Sequence, residues 1–113
     1  MKNHLVFYTN LMPKRFTGYT VAFIILLRPS VKGNIPLLEH EKVHVNQFWR
    51  TLGINGLFYL FSKEKRLQYE LEAYRKQLEF EPNKSLSEHV FAKYISTNYN
   101  LNISYEDALK LLD

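Results

Sequence analysis

Cysteine is absent from this 113-residue chain. That excludes a disulfide scaffold, a thiolate zinc site and a thiol nucleophile. Long apolar runs are missing too. The longest, Val21 to Leu27 (VAFIILL) and Gly56 to Phe61 (GLFYLF), fall well short of the about 20 residues that span a bilayer. The opening MKNHLVFYTNLMPKRF has no continuous apolar core and no small-residue cleavage site of a signal peptide. These absences lead us to expect a soluble, cytoplasmic protein with no membrane span. Internal repeats, low-complexity tracts and domain linkers are lacking as well. The formal charge of +4 is spread along the chain rather than gathered in a basic arm, so nucleic acid is not an expected partner.

What is present is enough apolar material for a core: 46% hydrophobic and 15% aromatic residues, over a length that suits one domain, residues 1–113. His4 to Thr9 and Tyr19 to Arg28 are β-rich, and Met12 to Gly18 between them reads as a turn. We expect the two β segments to form a short antiparallel hairpin. Pro36 suits the first turn of a helix that Gly53 stops. Ile54 to Phe61 reads as an apolar connector, for which core burial is the expected fate. Ser62 caps a second helix over Lys63 to Phe80, and Pro82 closes it. Ser85 with Glu88 has a capping-box pattern opening a third helix, and Ser104 with Asp107 opens a short last one. A small sheet followed by helices makes the fold α+β, with helix dominant.

One motif carries chemistry. His40-Glu41-Lys42-Val43-His44 places two imidazoles four residues apart, about 40° apart on a helix, so both can reach one metal ion from the same face. Zinc accepts imidazole nitrogen, and catalytic sites add a third protein ligand and a water whose pKa falls to about 7. Glu41, next to the first histidine, is placed to take that water's proton. On a helical wheel the two histidines sit among Leu37, Leu38, Val43, Val45, Phe48 and Leu52. Glu39, Lys42, Asn46 and Arg50 lie opposite. The histidines therefore face inward, as ligands do and as satisfied core histidines also do.

A third ligand is needed. The H-E-x-x-H-x-x-G-x-x-H spacing is excluded, because Gln47 and Arg50 stand where Gly and His are required. A downstream carboxylate remains. On the second helix Glu70 lies at the centre of the apolar arc formed by Leu67, Leu71, Ala73, Tyr74 and Leu78. A carboxylate there must be paired or ligate a metal; an ion pair with Arg66 is the alternative. Glu72 points the other way, where an i,i+4 pair with Lys76 accounts for it.

HEKVH followed by ELEAY at Glu70 to Tyr74 resembles the gluzincin metallopeptidases, whose third ligand lies in an E-x-x-A-D pattern on a following helix. The resemblance extends to minimal gluzincin-like domains, including small bacterial and phage proteins with an H-E-x-x-H-V-x-Q motif. It covers roughly Leu37 to Gln77. It implies a minimal zincin-like fold and a zinc-dependent peptidase acting on a peptide or protein substrate. His40, His44 and Glu70 would hold Zn2+, and Glu41 would be the general base. It also implies an edge strand, expected in Tyr19 to Arg28, on which extended substrate pairs. Tyr74 departs from the pattern, standing where the family has an acid that orients a ligand histidine. Tyr74 and Gln47 are candidates to orient the ligands from behind. For an oxyanion-stabilising group Tyr19, Tyr69, Tyr74, His89 and Arg66 are open. The alternative function is a non-catalytic zincin-like binding domain.

Overall fold

Three short strands precede five helices in the computed structural model, which describes residues 4–113. Met1 to Asn3, where the segment read for a leader begins, lie outside the described residues. Strands β1 (Leu5–Tyr8), β2 (Gly18–Val21) and β3 (Ile24–Leu27) form one sheet in the order β1-β3-β2. Helices α1 (Ile35–Arg50), α2 (Asn55–Phe61), α3 (Lys63–Leu78), α4 (Lys84–Asn98) and α5 (Tyr105–Leu112) follow. The architecture is α+β with helix dominant.

The sheet differs from expectation in its pairing. Tyr19 to Arg28 is two strands rather than one, joined by a two-residue turn at Ala22 and Phe23, with Ala22 in the left-handed region at φ 56°. The antiparallel hairpin is therefore β2 with β3, and β1 runs parallel to β3. The physical reason lies in IILL, which is apolar at every position. Such a strand belongs in the middle of a sheet, where both edges and both faces are occupied.

The helix ends follow local chemistry. The Asn34 side chain accepts from the Leu37 amide, with Pro36 in the first turn. After Arg50 the chain turns through left-handed Leu52 and Gly53, and the Gly53 amide donates to the Phe48 carbonyl at 2.8 Å. Ser62 and Ser104 cap α3 and α5 as expected. Helix α4 starts earlier than the Ser85 capping box: Asn83 caps it, accepting from the Leu86 amide.

Helix α1 is the keystone of the packing, touching β2 and β3 on one side and α3 on the other. Ile25, Leu27 and Val45 fill the space between sheet and α1. A larger cluster, including Leu71, Tyr74, Phe91, Ile95 and Leu112, joins α3, α4 and α5. Between them lie the buried polar side chains of His40, Glu41, Gln47 and Glu70. Among the described residues no helix is long and apolar enough to cross a membrane.

One expectation about burial is overturned. Ile54 to Phe61 is not a buried connector: most of it is helix α2, which contributes no buried residue. Leu57, Phe58, Leu60 and Phe61 are exposed by 43–83%. A run this short, apolar but for Asn55 and Tyr59, has no periodicity that could tell a core segment from an uncovered one.

Candidate metal centre

His40 and His44 project from one face of α1, their ring centroids 5.1 Å apart and nearly perpendicular. Glu70 meets them from the middle of α3. Its Oε1 lies 3.5 Å from His40 Nε2 and 3.3 Å from His44 Nε2. One donor atom from each of the three residues lies within 4.8 Å of the others. Four-coordinate zinc holds its ligands at about 2.0–2.1 Å, which spaces neighbouring donors by about 3.3–3.4 Å. The two imidazole–carboxylate distances therefore match edges of a zinc tetrahedron. Glu70 Oε1 is fully enclosed and has no hydrogen-bond partner. A buried carboxylate oxygen left so is costly, and a cation between the rings would satisfy it. The residues fit the metal.

The electrostatics of the metal-free cluster point the same way. Burial alone would lower the His44 imidazole, but the Glu70 carboxylate, helped by Glu41 and Gln47, outweighs it and raises His44 to about 9. Burial alone would raise Glu70, yet the His44 and His40 imidazoles facing it hold it well below the usual carboxylate range. A proton on His44 thus does in the metal-free protein what a cation would do more strongly.

The two histidines are oriented differently. His44 Nδ1 lies 2.9 Å from Gln47 Oε1, while Gln47 Nε2 donates to the Tyr69 carbonyl and to Glu72 Oε1, each at 3.0 Å. Those donations fix which end of the amide is oxygen. The His44 Nδ1–H must then be the donor, so Nε2 is the nitrogen that faces Glu70 and the one whose lone pair a metal would take on displacing its proton. Arg50 closes the chain, pairing with both oxygens of Glu72 at 3.0 and 2.8 Å. Glu72 is therefore not engaged with Lys76, which pairs with Glu79 instead. The reason is reach: Arg50 on α1 offers a two-pronged fork that Lys76 lacks.

His40 has no such partner, and its buried Nδ1 is unpaired. The Tyr74 ring packs edge-on against it at 4.3 Å, and the Tyr74 hydroxyl shares a 2.6 Å hydrogen bond with Tyr99. Tyr74 thus wedges His40 by shape and gives it no acceptor. Burial, with Glu70 nearby, pushes both tyrosine phenols well above their ordinary range, so they stay neutral. The ion pair between Glu70 and Arg66 does not form. Arg66 donates to the backbone carbonyls of Tyr59, Leu60 and Tyr99 at 2.7–2.9 Å.

Glu41 is buried beside the cluster, its Oε2 3.9 Å from His40 Nε2. Its other oxygen accepts a 2.7 Å hydrogen bond from the Thr20 hydroxyl on β2. Gly18 stands so close that a Cβ there would meet Glu41 Oε2 at 2.9 Å. The edge strand of the sheet is thus β2, not the whole of Tyr19 to Arg28, and it holds Glu41 in place. A cleft of about 390 Å³ opens over these residues, lined by Gly18 to Ala22, by His40, Glu41, His44 and Glu70, and on the far side by Gly56, Tyr59 and Leu60.

Of the oxyanion candidates, only Tyr19 lines this cleft. Arg66 is committed to carbonyls, Tyr74 to Tyr99, and His89 Nδ1 lies 2.8 Å from the Ser85 carbonyl; the Tyr69 carbonyl serves Gln47. Sequence reasoning missed Thr20, Gly18 and Tyr59. The first two announce themselves only through the long-range contact of β2 with α1. Tyr59, the one hydroxyl in GLFYLF, was a visible polar exception. No family model matches the chain, and neither the curated proteins nor the solved structures contain a match.

Proposed function

We propose that this chain is a zinc-dependent peptide-bond hydrolase of gluzincin-like type. His40, His44 and Glu70 would hold the metal, and Glu41 would be the general base. The observation that supports it best is the convergence of two imidazole nitrogens on an unpartnered buried carboxylate oxygen at 3.3 and 3.5 Å, with a second carboxylate alongside and an open cleft above. Zinc bound there would polarise the scissile carbonyl and acidify a water to a pKa of about 7. Glu41 Oε2 accepts the proton as the water oxygen bonds to the carbonyl carbon. It returns that proton to the amide nitrogen as the C–N bond breaks. Thr20 keeps Oε1 engaged, so that Oε2 is the oxygen free to work. The outer edge of β2, which among the described residues pairs only with β3, offers backbone groups to an extended peptide.

A second reading, a zincin-like binding domain without catalysis, draws on the exposed apolar side chains of α2. Glu41→Gln separates the two. Zinc content stays near one per chain, and cleavage of a peptide library falls by 100-fold or more from a general base's usual worth of about 10²–10⁴. Cleavage unchanged by the substitution would remove Glu41 from the mechanism. A zinc-loaded parent that cleaves nothing favours the binding domain.

A further inference from the structure

Glu70 uses its two oxygens differently, and the difference traces to one residue. Oε1 faces the imidazoles and is unpartnered. Oε2 accepts a 2.6 Å hydrogen bond from the Tyr59 hydroxyl. That bond is short even for a phenol on a carboxylate. The phenol is the donor in this bond, because an ionised carboxylate can only accept.

The surroundings of Tyr59 set it apart from a residue that merely satisfies a polar group. Helix α2 has seven residues, none buried, and is too short to persist by itself. Two side chains fasten it to the rest of the molecule near the site. Arg66 donates to the carbonyls of Tyr59 and Leu60, and its guanidinium lies 5.5 Å from the Tyr59 ring centroid. Tyr59 in turn reaches from α2 to Glu70. Arg66 itself gives its remaining donor to the Tyr99 carbonyl. The phenol therefore contributes the only side-chain hydrogen bond to Glu70 from α2, and it falls on the oxygen turned from the histidines.

We propose that Tyr59 is a positioning residue for the metal centre: by holding Glu70 Oε2 it presents Glu70 as a one-oxygen ligand. This rests on the metal-binding role of His40, His44 and Glu70 given above. A carboxylate that engaged a zinc ion through both oxygens would fill the coordination place a water needs. One held by Tyr59 leaves that place open. The exposed wall of the cleft is thereby tied to the coordination number of the metal.

The test replaces zinc with cobalt(II), whose visible absorption is strong when four-coordinate and weak at higher coordination. Tyr59→Phe keeps the ring and its contact with Arg66 and deletes only the hydroxyl. Circular dichroism checks that the helices remain. Outer partners of metal ligands are worth about 10–100-fold in affinity, so Tyr59→Phe is expected to weaken metal binding by at least tenfold and to lower the cobalt absorption per bound ion. The same substitution in a Glu70→Ala background is expected to change affinity less than twofold, because the effect runs through Glu70. An equal loss in both backgrounds, or affinity and spectrum within twofold of the parent, overturns the positioning role and leaves the metal site standing. A parent chain that takes up neither cobalt nor zinc overturns both.

Discussion

The two walls of the cleft are built in opposite ways. The α1–α3 wall carries His40, His44 and Glu70 on 16-residue helices that are capped, packed on each other and stitched by the chain from Arg50 through Glu72 and Gln47 to His44. The α2 wall is seven residues with no buried side chain, fastened by Arg66 and Tyr59. Groups that would have to hold a metal to within a fraction of an ångström sit where the fold is over-determined. The wall that would face a substrate sits where few contacts resist movement. Stability and placement are concentrated on one side, adaptability on the other.

The sharpest contrast lies within α3 itself. Glu70→Ala removes a donor from the centre. It is expected to weaken zinc binding by more than the about 100-fold that an outer partner is worth. Glu72→Ala removes only the brace behind Gln47, and its effect should stay within about 100-fold. Titration against a competing chelator compares them, and a larger loss for Glu72→Ala would break the inside–outside assignment.

The metal-free centre also predicts a pH dependence. His44 is raised to about 9 in the folded protein from about 6.5 unfolded. The protonated imidazole therefore contributes stability that is fully present below pH 6.5 and is lost as pH rises through 9. The loss is at most ~3 kcal/mol. Urea unfolding of chelator-treated protein between pH 6 and 9.5 reads it, and stability rising across that window would contradict the charge assigned to the cluster.

A third contrast compares the walls directly. Leu71 is 7% exposed on α3 and Leu57 60% exposed on α2. Leu71→Ala should cost about 2–5 kcal/mol and Leu57→Ala under about 0.5 kcal/mol. Equal costs in denaturant titration would mean that α2 is packed after all.

The difference between the walls also governs what the amino-acid order reveals. On the α1–α3 side the information is local and periodic. Pro36 and Gly53 bound α1, and a helical wheel places His40, His44 and Glu70 inward. A carboxylate at the centre of an apolar arc is conspicuous without coordinates. On the β2–α2 side the deciding facts are long-range or lack a local marker. The hairpin turn at Ala22 and Phe23 contains no Gly, Asn, Asp or Pro to announce it, and left-handed Ala22 is paid for by the pairing around it. GLFYLF is apolar at every position but Tyr59, so nothing in it separates a core segment from an exposed helix. Glu72 has a plausible neighbour in Lys76, but its actual partner, Arg50, is 22 residues away on another helix. Asn83 outcompetes Ser85 as a cap two residues earlier, a choice that local pattern leaves open.

The central claim is tested most directly by diffraction from crystals grown with zinc and measured on both sides of its absorption edge. The account predicts a single anomalous peak between α1 and α3, within about 2.0–2.2 Å of His40 Nε2, His44 Nε2 and Glu70 Oε1. A zinc-soaked crystal with no peak among those three atoms, or with the ion held by other residues, would contradict it.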